Sequence, residues 1–279
     1  MGCDIHVYLE KRLFSYNDEK RKNGVWINAD KWQRDTNYDL YKVTDPESVL
    51  DEYGGTPTII KGWEIPYEDR IYNGRNYDLF AILANVRNGR GFAGIETGEG
   101  FNPIAIPKGV PDDCSDVTRA CLGSYGTDGH SHSWFTLKEL LDFDWEGQST
   151  VFFGAVDEKD YKTFKENGIP NSWFGVMAGT PWNNNIIMIS NEEMEKLISG
   201  EKDREVYTDI EGNDQPIRYI TKIKWGKTYA QSCQSFIDNT IPKLKLMVRE
   251  FNTEENKRQS PMDQVQTAED IRICFFFDN

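Results

Sequence analysis

Residues 3–14, CDIHVYLEKRLF, alternate between apolar and polar positions, with Cys3, Ile5, Val7 and Leu9 on one side and Asp4, His6, Tyr8 and Glu10 on the other. A period of two predicts a strand with one buried face, and it sets Asp4 and His6 together on the opposite face. The closing run DIRICFFFDN is equally strand-like, which predicts that the two ends of the chain share a central sheet and that Cys3 and Cys274 serve as small apolar core residues. In NYDLFAILANVRNG the apolar side chains run almost all round a helical wheel, so a buried helix is expected there, ended by Asn88-Gly89. Thr136 and Glu139 form a T-x-x-E capping box before the helical pattern LKELLDF. Further strands are expected at STVFFGAV, NIIMIS and IRYITKIKW, and helices from Glu158 to Glu166 and in SNEEMEKLISG. A long helix from about Thr228 to Phe251 should be kinked or split by Pro242.

Between these elements, residues 15–76 are polar, aromatic and turn-rich, and read as an irregular, insertion-like region with short strands around GVWIN and TIIKGWEI. TEENKRQSPMDQ reads as an exposed connection. Gly89, Gly91 and Gly94 satisfy G-x-G-x-x-G, but a dinucleotide fingerprint needs a strand before it and a helix after it, and here a helix comes before and a loop after. Helix and strand signals mix without regular alternation. The expected fold is therefore a single α+β domain over 1–279, with a central mixed or antiparallel sheet containing the N- and C-terminal strands and flanked by helices.

Composition narrows the function. Hydrophobic residues make up only 38%, and 8 Trp, 13 Tyr and 15 Phe compensate with large buried areas. Forty-six acidic residues against 32 basic ones give a net charge of -14, which repels a phosphate backbone and argues against non-specific nucleic-acid binding. A small anion in a locally basic pocket is still compatible with that charge. Five cysteines without a C-x-x-C pair predict reduced thiols rather than a disulfide framework or a structural zinc. No apolar run nears the roughly 18 residues of a membrane span and no signal-peptide core is present, so the expectation is a cytoplasmic protein without membrane contact. Gly2 invites a myristoylation reading, but His6 stands where that motif wants Ser or Thr.

All three histidines lie in two short stretches, His6 in MGCDIH and His130 and His132 in GHSHSW. The expectation is that these segments meet. Asp4 with His6, and His130 with His132, are i, i+2 pairs that on extended backbone point the same way and can converge on one divalent ion, Zn, Mn or Mg. Asp128, or the carboxylates Asp112 and Asp113, add oxygen ligands or a general base; His130, His132 and Asp128 are the candidate catalytic groups. A metal-free acid–base role of the histidines fits as well, and the plainer alternative is that residues 129–133 merely turn the chain into a helix. Arg70, Arg75, Arg87 and Arg90 surround the buried helix and the glycine-rich loop. Arg75, Arg87 and Arg90, with the helix N-terminus near Leu137, are candidate phosphate binders, against the alternative of surface pairing with Asp69, Asp78 and Glu96. Trp134, Tyr125, Phe92 and Phe101 are candidates to stack on a base, where the plainer role is core packing. Cys3 falls on the strand face opposite His6, which argues against a Cys–His nucleophile.

MGCDIH, RNYDLFAILANVRNG, PKGVPDD, GHSHSWFTLKEL and IRICFFFDN together resemble a family of bacteriophage and prophage proteins that open on Met-Gly-Cys-Asp-Ile-His. The resemblance covers the two ends and roughly the first half, while residues 150–260 have no counterpart in it. It implies a phage or prophage origin and the host cytoplasm as the place of action. With the residues above, the expected function is binding of a small phosphate-containing nucleotide, such as a host defence signal, and its hydrolysis by a metal-dependent or histidine-based phosphodiesterase centre. The alternatives are a non-catalytic nucleotide sponge counteracting host immunity and an acidic protein-binding inhibitor.

Overall fold

The alternation at the N-terminus does make a strand, and it pairs with the C-terminal strand. The computed structural model describes residues 2–14, 22–39, 59–91, 94–175, 185–208, 211–251 and 266–278. In chain order its elements are β1 (Asp4–Leu13), β2 (Val25–Asn28), β3 (Gln33–Arg34), β4 (Trp63–Glu64), α1 (Tyr77–Ala84), α2 (Asp116–Leu122), β5 (His130–Thr136), α3 (Leu137–Asp142), β6 (Ser149–Asp157) and α4 (Glu158–Asn167). There follow β7 (Ile186–Met188), α5 (Asn191–Ser199), β8 (Val206–Thr208), β9 (Asp214–Pro216), β10 (Arg218–Thr228), α6 (Tyr229–Ser232), α7 (Ile241–Phe251) and β11 (Ile271–Asp278). The fold is α+β. The chain gathers into two compact units, 1–86 with 103–144 and 233–279, and 87–102 with 145–232, a division that the single-domain expectation does not draw.

The first unit is built on an antiparallel sheet of order β2-β1-β11-β5. Ile5, Val7 and Leu9 stand opposite Phe277, Phe275 and Ile273, and all six are buried. α1 covers part of it: Phe80 meets the Phe277 ring edge-on at 5.1 Å. The helix is buried from Leu79 to Ala84, and it ends at Ala84, where Asn85 turns left-handed (φ 58°) and its N–H bonds back to Phe80 and Ala81. The stop therefore comes earlier than Asn88-Gly89, because asparagine tolerates the left-handed cap. α3 follows β5 at once, with Thr136 and Glu139 forming the expected reciprocal capping box. The expected helix over 228–251 is divided: α6, a π-helical turn at Phe236–Thr240, and α7. Pro242, which lacks an N–H to donate, sits just after that turn.

The second unit holds a sheet of order β6-β10-β7, antiparallel between β6 and β10 and parallel between β10 and β7. α4 packs on β6 and α5 on β10, and α5 starts in a second capping box, Ser190 with Glu193. The glycine-rich loop is a structural element of this unit. The Asn88 side chain donates to Phe101 O at 2.8 Å and accepts from Phe101 N–H at 2.6 Å, and Glu99 N–H bonds Val151 O at 2.9 Å. At Gly100 (φ 87°) a Cβ would meet Asn88 Oδ1 at 2.5 Å, so glycine is required there. Phe101 is buried against Phe152 and Tyr229 as core, not as a base platform. Phe92 and the connection TEENKRQSPMDQ lie outside the described residues. All five cysteines are buried, and none is joined to another in a disulfide. Among the described residues no helix is long and apolar enough to cross a membrane.

Candidate functional site

The second face of the first sheet is polar and aromatic, and from Glu10, Arg272, Cys274 and Phe276 inward it is buried. Its rows follow from the register: Asp4 opposite Asp278, His6 opposite Phe276, Tyr8 opposite Cys274 and Glu10 opposite Arg272. α2 lies over β1 and β11 and buries Thr118, Cys121 and Leu122 there. Under this cover Arg272, 1% exposed, donates from Nε to Glu10 Oε2 at 2.8 Å and from Nη1 to Asp113 Oδ1 at 2.8 Å. Its guanidinium lies 3.9 Å from the centroid of the Trp26 ring. Glu10, 0% exposed, also accepts the Ser115 N–H at 2.8 Å.

The two histidine segments join the same sheet with β11 between them. His6 stacks on Phe276 at 4.7 Å and 15°, and His132 stacks on the same ring at 5.3 Å and 18°. Two strand spacings put the paired segments on the order of 10 Å apart, wider than ligation of one ion requires. His132 Nε2 lies 2.9 Å from Leu122 O, a pure acceptor, so that nitrogen carries the proton and is committed. The segment expected as a loop is a strand, and Ser131 in it is left-handed (φ 52°), with a register shift in β11 between Phe275 and Phe277. That irregularity turns His130 to the opposite face, where its ring stacks on Phe277 at 6.1 Å. The rule that side chains two apart share a face holds only for a regular strand. Asp4, His6, His130 and His132 are thus not gathered round a common point. Among the described residues no group of three or more His, Cys, Asp or Glu side chains is placed to hold an ion.

What the structure does form at His6 is a cavity of about 490 Å3, lined by residues of the first unit. Its aromatic walls include Trp32, Trp63, Tyr67, Tyr72 and Tyr125, and its polar groups include Asp4, His6, Glu64, Arg70 and Asp278. Most of these polar groups already have partners. Asp4 receives a forked pair of hydrogen bonds from Arg75, which hold its carboxyl below the usual range. Glu64 accepts from Gln33 Nε2 at 3.0 Å. Asp278 Oδ1 accepts the Asp4 N–H at 3.2 Å, and its Oδ2 lies 3.4 Å from His6 Nε2. Tyr125 leans on the His6 ring at 4.4 Å, and burial, then the nearby Asp278, raises its phenol above the ordinary value. Arg70 makes a long contact of 3.5 Å to Ile65 O and no ion pair among the described residues.

Of the residues expected in a site, then, Asp4, His6 and Tyr125 meet at this cavity. Arg75 adjoins it, held by Asp4, while Arg87 and Arg90 belong to the second unit. Trp134 is engaged by Lys108, whose ammonium is 4.2 Å from its ring centroid. Asp128 sits exposed in a short 3-10 turn, and Asp112 is exposed, whereas Asp113 is spent on Arg272. The N-terminus of α3, expected to bind phosphate, is filled by the carboxylate of its own Glu139. The sequence pointed to neither Asp278 nor the walls Trp63, Tyr67 and Tyr72; the signal for them was the aromatic density of the turn-rich region before α1. No family model matches the chain, and no curated protein or solved structure matches it.

Proposed function

We propose that the protein binds a small phosphate-bearing nucleotide in the cavity beside His6. The observation that carries this reading is an aromatic-walled cavity of about 490 Å3 whose Arg70 is without an ion pair among the described residues. Aromatic walls take a planar base, and a guanidinium fork takes a phosphate. The size suits a mononucleotide or dinucleotide, within the range of roughly 300 to 1,000 Å3 common to small-molecule sites. The resemblance of the MGCDIH opening to phage and prophage proteins implies the host cytoplasm as the place of action, and a nucleotide signal of host defence is a ligand of this class found there.

The 3.4 Å approach of Asp278 to His6 favours chemistry as a second step. In that step His6 takes a proton from a water whose oxygen bonds the phosphorus as the ester P–O bond breaks, the leaving oxygen takes a proton from solvent, and Asp278 stabilises the imidazolium that results. The experiment is incubation of the protein with a panel of linear and cyclic nucleotides, with and without EDTA, followed by mass analysis of products and of ligand released on denaturation. Turnover that disappears in His6→Gln while ligand is still retained supports the hydrolase. Intact nucleotide recovered in stoichiometric amounts makes the protein a sponge. No nucleotide retained or cleaved overturns the reading, and Arg70→Ala should weaken retention about tenfold or more, as loss of a charge-assisted phosphate contact does.

A further inference from the structure

The outer edge of β1 is only partly covered. β2 pairs with Glu10 to Leu13 and stops there. Ala29 N–H bonds Leu9 O at 2.8 Å, and Leu9 N–H bonds Asp30 Oδ2 at 3.0 Å, so the backbone groups of Leu9 point away from β11. In a strand the same direction recurs at every second residue, and the outward groups of Val7, Ile5 and Cys3 therefore share that edge. At its far end the Cys3 N–H is taken by the Tyr77 hydroxyl at 3.3 Å. Both ends of the open stretch are thus capped by side chains. Ile5 and Val7 between them line the cavity, and among the described residues no strand pairs with them.

We infer that this open edge reads the nucleobase, with Ile5 C=O accepting a hydrogen bond from the base and Val7 N–H donating one to it. The inference rests on the nucleotide reading above and names how the base is recognised. A carbonyl and an N–H two residues on present an acceptor beside a donor, the complement of a base edge that carries a donor next to an acceptor, such as the N6 amino group beside N1 of adenine. The aromatic walls supply stacking. A backbone reader of this kind accepts any base that keeps such a pair and rejects one whose pair is blocked. Leaving the pair unmade strands a polar group in the cavity, which lowers affinity about tenfold or more.

Calorimetric titration of the full chain with AMP, N6,N6-dimethyl-AMP, purine riboside 5′-monophosphate and ribose 5-phosphate tests it. AMP is expected to bind, and the dimethylated and amino-free analogues to bind at least tenfold more weakly. Either analogue binding within tenfold of AMP overturns the base-edge inference and leaves the nucleotide reading standing. Ribose 5-phosphate binding within tenfold of AMP does the same. Failure of AMP to bind, with other nucleotides of the panel retained, also overturns only the inference. Retention of no nucleotide at all overturns both.

Discussion

Arg272 and Glu10 sit opposite each other on neighbouring strands, 1% and 0% exposed, with the Arg272 Nη2 2.7 Å from Glu10 Oε2. Alternation alone assigns Glu10 to a polar face and so to solvent; its burial depends on a partner 262 residues away and on a helix laid over both, which no local pattern reveals. Arg272→Met leaves the Glu10 carboxylate buried without its cation, and should cost about 3 to 5 kcal/mol in urea unfolding. Adding Glu10→Gln to that variant should restore part of the loss, since the stranded charge is then gone; a double variant no more stable than the single one would refute the pairing as the cause. Asp30 supplies the pH dependence. Its carboxyl, enclosed although the residue as a whole is half-buried, is pushed up to about 6 by burial, against hydrogen bonds from Leu9 N–H and Asn28 that lower it. A carboxyl raised in the folded state favours the protonated form, so its contribution is full below the unfolded value near 3.8 and is lost as pH rises through about 6. Relative to the natural chain, Asp30→Asn should therefore gain on the order of 1 to 3 kcal/mol between pH 4 and pH 7. Unfolding both proteins at the two pH values checks this, and an equal difference at each would rule it out.

Elements whose stop and start signals are local were legible. Thr136 with Glu139 forms the reciprocal cap its spacing predicts, and Ser190 with Glu193 forms a second at the same spacing. The alternation of β1 and the apolar run of β11 placed both termini in one sheet. What was not legible is order within the sheet. That β11 runs between β1 and β5, and that Ser131 turns left-handed, are outcomes of long-range register, and together they separate the histidines that the spacing had joined. The cavity walls come from a region that reads only as turn-rich, because two-residue strands such as β3 and β4 are too short to show a period. Thr136→Ala removes the side chain that accepts the Glu139 N–H and leaves the Glu139 carboxylate without its hydroxyl partner. The expected loss is about 1 kcal/mol, read as a lowered urea midpoint at unchanged slope. A fall in the slope instead would mean that β5 and α3 unfold separately from the rest.

At the scale of the whole chain the net charge of -14 acts on any phosphate that approaches. The cavity offers Arg70 as its cation without an ion pair among the described residues, with Asp278 and Glu64 nearby, so attraction begins only at close range. At low salt the field of the chain extends about 20 to 30 Å into solution and opposes an anionic ligand; at physiological salt it is screened within about 8 Å. The association rate of AMP should therefore rise as ionic strength is raised from about 20 to 150 mM, the reverse of what a basic nucleic-acid binder shows. The dissociation rate should change less, because the contacts that hold the bound phosphate are short and partly desolvated. Stopped-flow mixing across that range separates the two rates. An association rate that falls with salt would mean that a positive field reaches outward from the site, and would point back to a cluster of arginines rather than to Arg70 alone.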